Sequence, residues 1–182
     1  MSKRGGKQTL KYSVWKSMAR EAGVEASRQR PEVASRTLRS ELLRMDVIDA
    51  AAVDAYQAWP TPVADYPWED VQDWKQNDFK GLDLSLWYAD ELCGLCYASP
   101  KDSSLCIKII LLERSAGPAN ALAGLVMLFM VLTVIQYGKL LECKEIEVQD
   151  PAPNAVRNYE FQGFRWIPSS QGNRLVLTLE AE

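Results

Sequence analysis

A run of 15 residues without a charged side chain, residues 121–135, constrains the fold of this chain more than any other feature. A helix that spans a bilayer needs about 20 such residues, whereas shorter apolar runs are more often core helices. Asn120 precedes the run and Gln136 follows it. We therefore predict a helix packed beneath a sheet, with no membrane contact. The 182 residues, 47% of them hydrophobic, suffice for one domain with its own core.

Strand and turn patterns flank this predicted helix on both sides. Strands are predicted at residues 82–89, 92–98 and 105–112 before it, and at residues 145–148 after it. The other predicted elements are helices over residues 46–58 and 68–79 with a proline-rich loop at 60–67 between them, a helix over 154–162, and strands within 164–167 and 174–180. Residues 36–45 fit a strand or a helix, and the elements that follow favour a strand. This order predicts an α/β fold around a mixed sheet.

The first 35 residues are basic, with eight Lys and Arg against three acidic residues, and the remainder is acidic. We predict a mobile stretch over residues 1–8, a helix over residues 9–22 that ends at Gly23, and a linker or second polar helix after it. The chain is thus divided into a basic extension, residues 1–35, and a domain, residues 36–182. Such an arm favours a negative partner, namely nucleic acid, another protein, a second copy in a homodimer, or the acidic body itself. The basic residues concerned are Lys3, Arg4, Lys7, Lys11, Lys16 and Arg20.

The chain contains no histidine, which excludes Ser-His-Asp and Cys-His catalysis and every histidine metal site. A zinc site would need all four cysteines, Cys93, Cys96, Cys106 and Cys143, and two of them are scattered in apolar segments. Buried thiols are the better interpretation, so no metal is expected. No secretory signal follows the basic N-terminal residues, and a reducing cytoplasm is the expected location.

Residues 155–164 carry the pattern A-x-x-x-Y-x-x-x-G-F, with Ala155, Tyr159, Gly163 and Phe164 at the fixed positions. Ala155 and Tyr159 lie on one helix face, and Gly163 permits a sharp exit into the next strand. Together with the order of elements, this segment resembles the GNAT family of N-acetyltransferases over residues 36–182. The resemblance implies a mixed, mostly antiparallel twisted sheet flanked by helices.

The resemblance further implies that acetyl-CoA binds in the loop between the central strand and the long helix, where the family has Q/R-x-x-G-x-G/A. Counted back from Gly138, the pattern falls on Pro118, Ala121 and Ala123, and only the last position conforms. A shifted register would use Gly117 or Gly124. The predicted cofactor-binding residues are Leu111, Leu112, Arg114, Gly117, Asn120, Ala121, Ala123 and Gly124.

Five residues are candidates for the chemistry. The resemblance implies that Tyr159 protonates the departing CoA thiolate, and the alternative is a core tyrosine. Glu113, at the end of the central strand, is either a base for the acceptor amine or a solvated charge. Trp59, Tyr66 and Trp68 are predicted to form an aromatic acceptor site, against the alternative that they close the edge of the sheet.

Two functions follow from these residues. The first is an acyltransferase that moves acetyl from acetyl-CoA to an amine of a small molecule or a protein. The second is a catalytically inactive GNAT-like module that binds a protein or nucleic acid, because the pyrophosphate loop departs from the family pattern. A fold alone does not decide between them.

Overall fold

The computed structural model describes residues 3–60, 64, 66–100, 103–168 and 174–179, with side chains from residue 9 onward. The helices are α1 (Lys3–Arg28), α2 (Pro31–Ala34), α3 (Ala50–Gln57), α4 (Val71–Asn77), α5 (Val126–Leu140) and α6 (Val156–Phe161). The strands are β1 (Leu43–Asp46), β2 (Leu82–Tyr88), β3 (Glu91–Ser99), β4 (Cys106–Arg114), β5 (Glu145–Gln149), β6 (Arg165–Ile167) and β7 (Arg174–Thr178). Short 3₁₀ turns precede β1 and α4, at Ser40–Leu42 and Trp68–Asp70.

The strands form one sheet in the order β1-β2-β3-β4-β5-β7-β6. Neighbouring strands are antiparallel except for β4 and β5, which run parallel because α5 carries the chain back across the sheet between them. The mixed, mostly antiparallel sheet flanked by helices is the predicted fold class, which is thereby confirmed.

Helix α5 covers one face of the sheet and is apolar on nearly all sides. Phe129, Met130 and Val134 are fully buried among the apolar side chains of the central strands. The helix starts five residues later than the apolar run does and continues two residues past Gly138. The predicted start was wrong because the first residues of the run, 121–125, form consecutive turns instead of a helix.

Helix α1 packs along α5 and extends further in both directions than predicted. The prediction that Gly23 ends it was wrong. A Cβ atom on Gly23 would lie 2.1 Å from Oγ1 of Thr133, so the glycine permits close contact between α1 and α5. Arg20 also donates hydrogen bonds from α1 to Asp83 on β2. The helix therefore rests on the acidic body of the protein, which was one of the four alternatives for the basic arm.

The opposite face of the sheet carries α3, α4 and a second core rich in aromatic side chains. Trp68 and Ile48 are fully buried there, and Tyr56 and Trp87 nearly so. Helix α3 begins at Ala50, because Oδ1 of Asp49 accepts a hydrogen bond from the amide of Ala52. Asp46, where this helix was predicted to start, instead ends β1.

The chain ends with α6 and the hairpin-like pair β6–β7. Gly163 leaves α6 with a φ of +97°, a conformation that favours glycine, and Phe164 then enters the core fully buried. Both observations agree with the predicted roles of these residues. Within the described residues, no helix combines the length and apolarity that a membrane crossing requires.

Candidate active site

The strands β4 and β5 separate part-way along their length. They pair only from Cys106 opposite Glu145 to Ile109 opposite Val148. Ile110 is an extra residue in β4, a bulge relative to β3, and such bulges bend a strand. Beyond it β4 continues to Arg114 without a described partner on the β5 side.

A cavity of about 320 Å³ lies at this opening. Its wall combines the end of β4, the start of α5, the face of α6 and the loop before α4. The residues that line it include Ala64, Tyr66, Leu112, Glu113, Arg114, Gly124, Val126, Asn158 and Tyr159. Four segments that are distant in sequence thus meet at the only parallel strand pair of the described sheet.

The first turn of α5 faces this cavity and has no side-chain cap. Leu125 occupies the N-cap position, and Gly124 before it has a φ of +82°. The first amides of a helix have no partner within the helix, and the helix dipole makes this end attractive to anions. The wall formed by residues 124–128 is therefore suited to bind phosphate groups.

The close approach of α5 to β3 depends on Gly94. A Cβ atom on Gly94 would lie 2.3 Å from Cγ1 of Val126, the first residue of α5. A β-branched residue at the start of α5 is therefore accommodated by a missing side chain on β3. This contact positions the amides that face the cavity.

Two arginines flank the start of α5. Arg114 lines the cavity from the end of β4, and Arg36 donates a hydrogen bond of 3.2 Å to the carbonyl of Ala123. A Cβ atom on Gly124 would lie 3.7 Å from the same guanidinium nitrogen of Arg36. Sequence analysis missed Arg36, since no pattern links it to a loop 87 residues away.

Tyr159 lies on α6 with its side chain buried, 4% exposed, at the cavity wall. Its ring packs edge-on against Phe164 at 5.3 Å between centroids. Burial raises the pKa of the Tyr159 phenol well above its ordinary value, with smaller contributions from Cys96 and Tyr66. The phenol is protonated at neutral pH, as a tyrosine with its ordinary pKa also is, and the raised pKa makes it a weaker acid.

Glu113 is 3% exposed and lines the same cavity, so the alternative of a solvated charge was wrong. Its Oε1 accepts a hydrogen bond of 3.0 Å from the amide of Ala64, and its Oε2 accepts one of 2.8 Å from Nε1 of Trp68. The carboxylate therefore connects the end of β4 to the loop before α4.

Several solved structures are similar to this arrangement. The N-acetyltransferase PseH of Campylobacter jejuni matches with a TM-score of 0.55 and 10% identity, over 76% of this chain and 99% of that one. The ribosomal-protein-S18-alanine N-acetyltransferase of Escherichia coli matches with a TM-score of 0.55 and 12% identity, over 77% of this chain and 96% of that one. An acetyltransferase of Bacillus subtilis in complex with CoA matches with a TM-score of 0.54 and 16% identity, over 76% of this chain and 99% of that one. No protein-family profile and no curated protein matches the sequence.

These structures share one architecture with 76–77% of this chain. The chain has the GNAT fold. The predicted resemblance is confirmed at this level, and identities of 10–16% show the fold alone.

Within the GNAT fold of this chain, the loop between β4 and α5 has its own construction. The side-chain amide of Asn120, which is buried, donates to the carbonyls of Cys93 and Ser115, and its Oδ1 accepts from the amide of Leu122. Asn120 thus holds the loop together and does not point into the cavity. Its predicted contact with a phosphate is not supported by this position.

The other predicted cofactor-binding residues divide into two groups. Leu112, Arg114 and Gly124 line the cavity. Four residues lie outside its wall, namely Leu111 against the aromatic core, Gly117 beside Pro60, half-buried Ala121 and exposed Ala123. Of the two registers considered, the shifted one includes a residue of the cavity wall, Gly124, whereas Ala121 and Ala123 lie outside that wall.

The predicted acceptor residues are also divided. Trp68 is fully buried and Trp59 nearly so, with its Nε1 donating to the carbonyl of Leu92 at 3.2 Å. Both belong to the aromatic core, and neither lines the cavity. Tyr66 alone of the three lines the cavity, with its ring edge-on to Trp68.

None of the four cysteines lines the cavity. Burial raises the pKa of the Cys93 and Cys106 thiols to about 11, so both are protonated at neutral pH and poorly nucleophilic. Cys96 and Cys143 are buried as well. Among the described residues, no three His, Cys, Asp or Glu side chains are grouped to hold a metal ion.

Proposed function

We propose that this protein is an acyltransferase that moves an acetyl group from acetyl-CoA to an amine. The observation that supports the proposal is the cavity at the β4–β5 opening, into which the uncapped start of α5 points. Acetyl-CoA would supply the acetyl group activated as a thioester. The amine forms the new C–N bond, the C–S bond breaks, and CoA leaves as a thiol.

The residues present fit a pyrophosphate at the start of α5. The first amides of α5, at residues 126–128, would provide donors, and Gly124 lets a phosphate approach the backbone without steric conflict. Arg114 in the cavity wall and Arg36 at the carbonyl of Ala123 would add positive charge near this end of the helix. They replace the Arg or Gln that the family has in the loop itself.

Tyr159 is the proposed acid. Its phenol lies in the cavity wall and would give its proton to the leaving sulfur; because its pKa is raised, this step depends on a strongly basic thiolate. The acceptor amine would enter beside Ala64 and Tyr66, and its proton would leave to water. Glu113 keeps this loop in place through Ala64 and Trp68.

One observation favours a second function, a GNAT-like module without catalysis. Both carboxylate oxygens of Glu113 accept hydrogen bonds from the protein, so the candidate base serves a structural role in this conformation. In that case the cavity would bind a ligand without turning it over.

Calorimetric titration with acetyl-CoA tests binding first. Replacing Arg36 or Arg114 with alanine should raise the dissociation constant roughly 10–100-fold, the effect of losing one hydrogen bond to a charged group. Arg39→Ala is the matched control, because Arg39 is exposed and pairs with Glu41 outside the cavity. No binding at millimolar acetyl-CoA would refute the acyltransferase.

Thiol release with a panel of primary amines tests turnover. Tyr159→Phe should lower kcat roughly 10²–10⁴-fold with an unchanged dissociation constant for acetyl-CoA. Tyr88→Phe is the control, since its hydroxyl accepts a hydrogen bond from the amide of Arg39 away from the cavity. Tight binding without turnover of any amine would favour the non-catalytic module.

A further inference from the structure

Helix α1 carries a row of exposed apolar side chains on the side that faces away from α5. Leu10 is 64% exposed, and Val14 and Met18 are each 49% exposed. Ala22, also exposed, continues the row at the same spacing of four residues. Residues four apart lie on one helix face, so the row forms a continuous stripe about 18 Å long.

The opposite side of α1 is already used. Ala19 and Gly23 are buried against α5, and Arg20 is bound to Asp83. The stripe therefore does not serve the contact between α1 and the domain. Large apolar side chains grouped on the surface usually mark a contact with another molecule.

Charged residues lie beside the stripe with opposite signs at its two ends. Lys11, which is exposed, lies beside Leu10 and extends over the ring of Trp15 at 4.0 Å. Glu21, also exposed, lies beside Ala22 at the other end. Two copies of α1 can be placed antiparallel, with a two-fold axis at the height of Lys16. Leu10 of each copy then lies opposite Ala22 of the other, and Lys11 lies opposite Glu21.

The same symmetry places Val14 opposite Met18 at the centre of the pair. Every apolar residue of the stripe thus faces an apolar residue, and each charge faces its opposite. A parallel pair would instead place Lys11 against Lys11 and Glu21 against Glu21. A surface that is complementary to itself under a two-fold rotation is the property of an isologous dimer interface.

We propose that the exposed stripe of α1, Leu10, Val14, Met18 and Ala22, binds the same stripe of a second copy in an antiparallel dimer. Glu21 and Glu25 on this side of the helix disfavour a nucleic acid or an anionic membrane as the occupant. A single stripe of this length buries less surface than a standard interface, which buries about 800 Å² per partner. The dimer is therefore weak and depends on concentration.

Sedimentation velocity of the full chain, from low micromolar to several hundred micromolar, tests the dimer. The wild type should move from monomer to dimer over this range. Val14→Glu should stay monomeric, because it places a charge in the centre of the interface, and its circular dichroism should be unchanged because the position is half-exposed. A wild type that is monomeric throughout, or a dimer that Val14→Glu leaves intact, would overturn the proposal.

Charge reversal tests the antiparallel arrangement. Lys11→Glu alone and Glu21→Lys alone should each be monomeric, since each places like charges opposite one another. An equimolar mixture of the two variants should dimerise, because both charge pairs are then restored between unlike chains. Lys144→Glu, an exposed reversal outside α1, should dimerise like the wild type.

A mixture that fails to associate, while the wild type dimerises, would overturn the antiparallel arrangement. Binding of a nucleic acid duplex or of anionic vesicles by a monomeric wild type, abolished by Val14→Glu, would assign the stripe to that occupant instead.

Discussion

Replacing Gly94 with alanine should destabilise the protein by forcing α5 away from β3. The new Cβ would lie 2.3 Å from Cγ1 of Val126 and 3.2 Å from the carbonyl oxygen of Glu113. Carbon atoms in good contact are about 3.5–4.0 Å apart, so Val126 must retreat by more than 1 Å. Valine in a helix has one strongly preferred rotamer, so the helix itself must shift. Overpacking of this kind costs about 1–3 kcal/mol.

A double-mutant cycle with Val126→Ala tests this reasoning by urea unfolding. Val126→Ala alone removes two buried methyl groups and should cost roughly 1.6 kcal/mol. In the double variant, the alanine at position 94 occupies part of the vacated space. The loss in its free energy of unfolding should therefore be smaller than the sum of the losses in the two single variants, by at least about 0.5 kcal/mol. The midpoint of thermal unfolding should fall by roughly 2–4 °C for each kcal/mol of stability lost.

Gly117→Ala is the control for this cycle. A Cβ atom there would lie 3.4 Å from Oγ of Ser115 and 3.5 Å from Pro60, which is ordinary contact, so its stability should change by less than about 0.5 kcal/mol. Additive losses in the cycle, or a Gly94→Ala protein as stable as Gly117→Ala, would show that the contact of Gly94 with Val126 does not determine where α5 begins.

Three further changes have expected outcomes. Gly23→Ala should separate α1 from α5, because its Cβ would meet Thr133 at 2.1 Å, and hydrogen exchange in α1 should accelerate. Asp83→Asn should cost about 3–5 kcal/mol in urea unfolding, since Arg20 would lose its buried counter-charge; a loss below 1 kcal/mol would contradict this. Burial opposes ionisation of Glu147, but hydrogen bonds from two basic side chains outweigh it and lower its pKa. The stability contributed by Glu147 is thus present above the ordinary carboxyl pKa and lost as pH falls through the lower folded value, so the difference in stability from Glu147→Gln should shrink as the pH falls below the ordinary carboxyl pKa.

Local patterns predicted the elements better than their ends. The apolar run predicted α5, and the alternation of residues predicted β2 and β3 to within two residues at each end. The start of α5 was missed because Asn120 ties the preceding residues into turns through carbonyls of β3 and β4. Such a contact between distant segments leaves no periodic signal in the sequence.

The candidate site was predicted in part for the same reason. Tyr159, Glu113, Arg114 and Gly124 line the cavity, as the resemblance to the family implied. The predicted roles of Tyr159 as acid, of Glu113 as base and of Arg114 and Gly124 as cofactor-binding residues stay predictions. Arg36 was missed, because it reaches the start of α5 only through the packing of α1 and α2 beside it.

The sequence by itself determined the types of most elements, their order along the chain and the exclusion of histidine-dependent catalysis. Each of these depends on nearest neighbours or on composition alone. Only the tertiary structure decided which glycines serve as contacts and which as turns. Gly23 and Gly94 admit Thr133 and Val126, whereas Gly163 adopts a positive φ. The difference lies in what stands opposite each missing side chain, and that is a property of the packed chain.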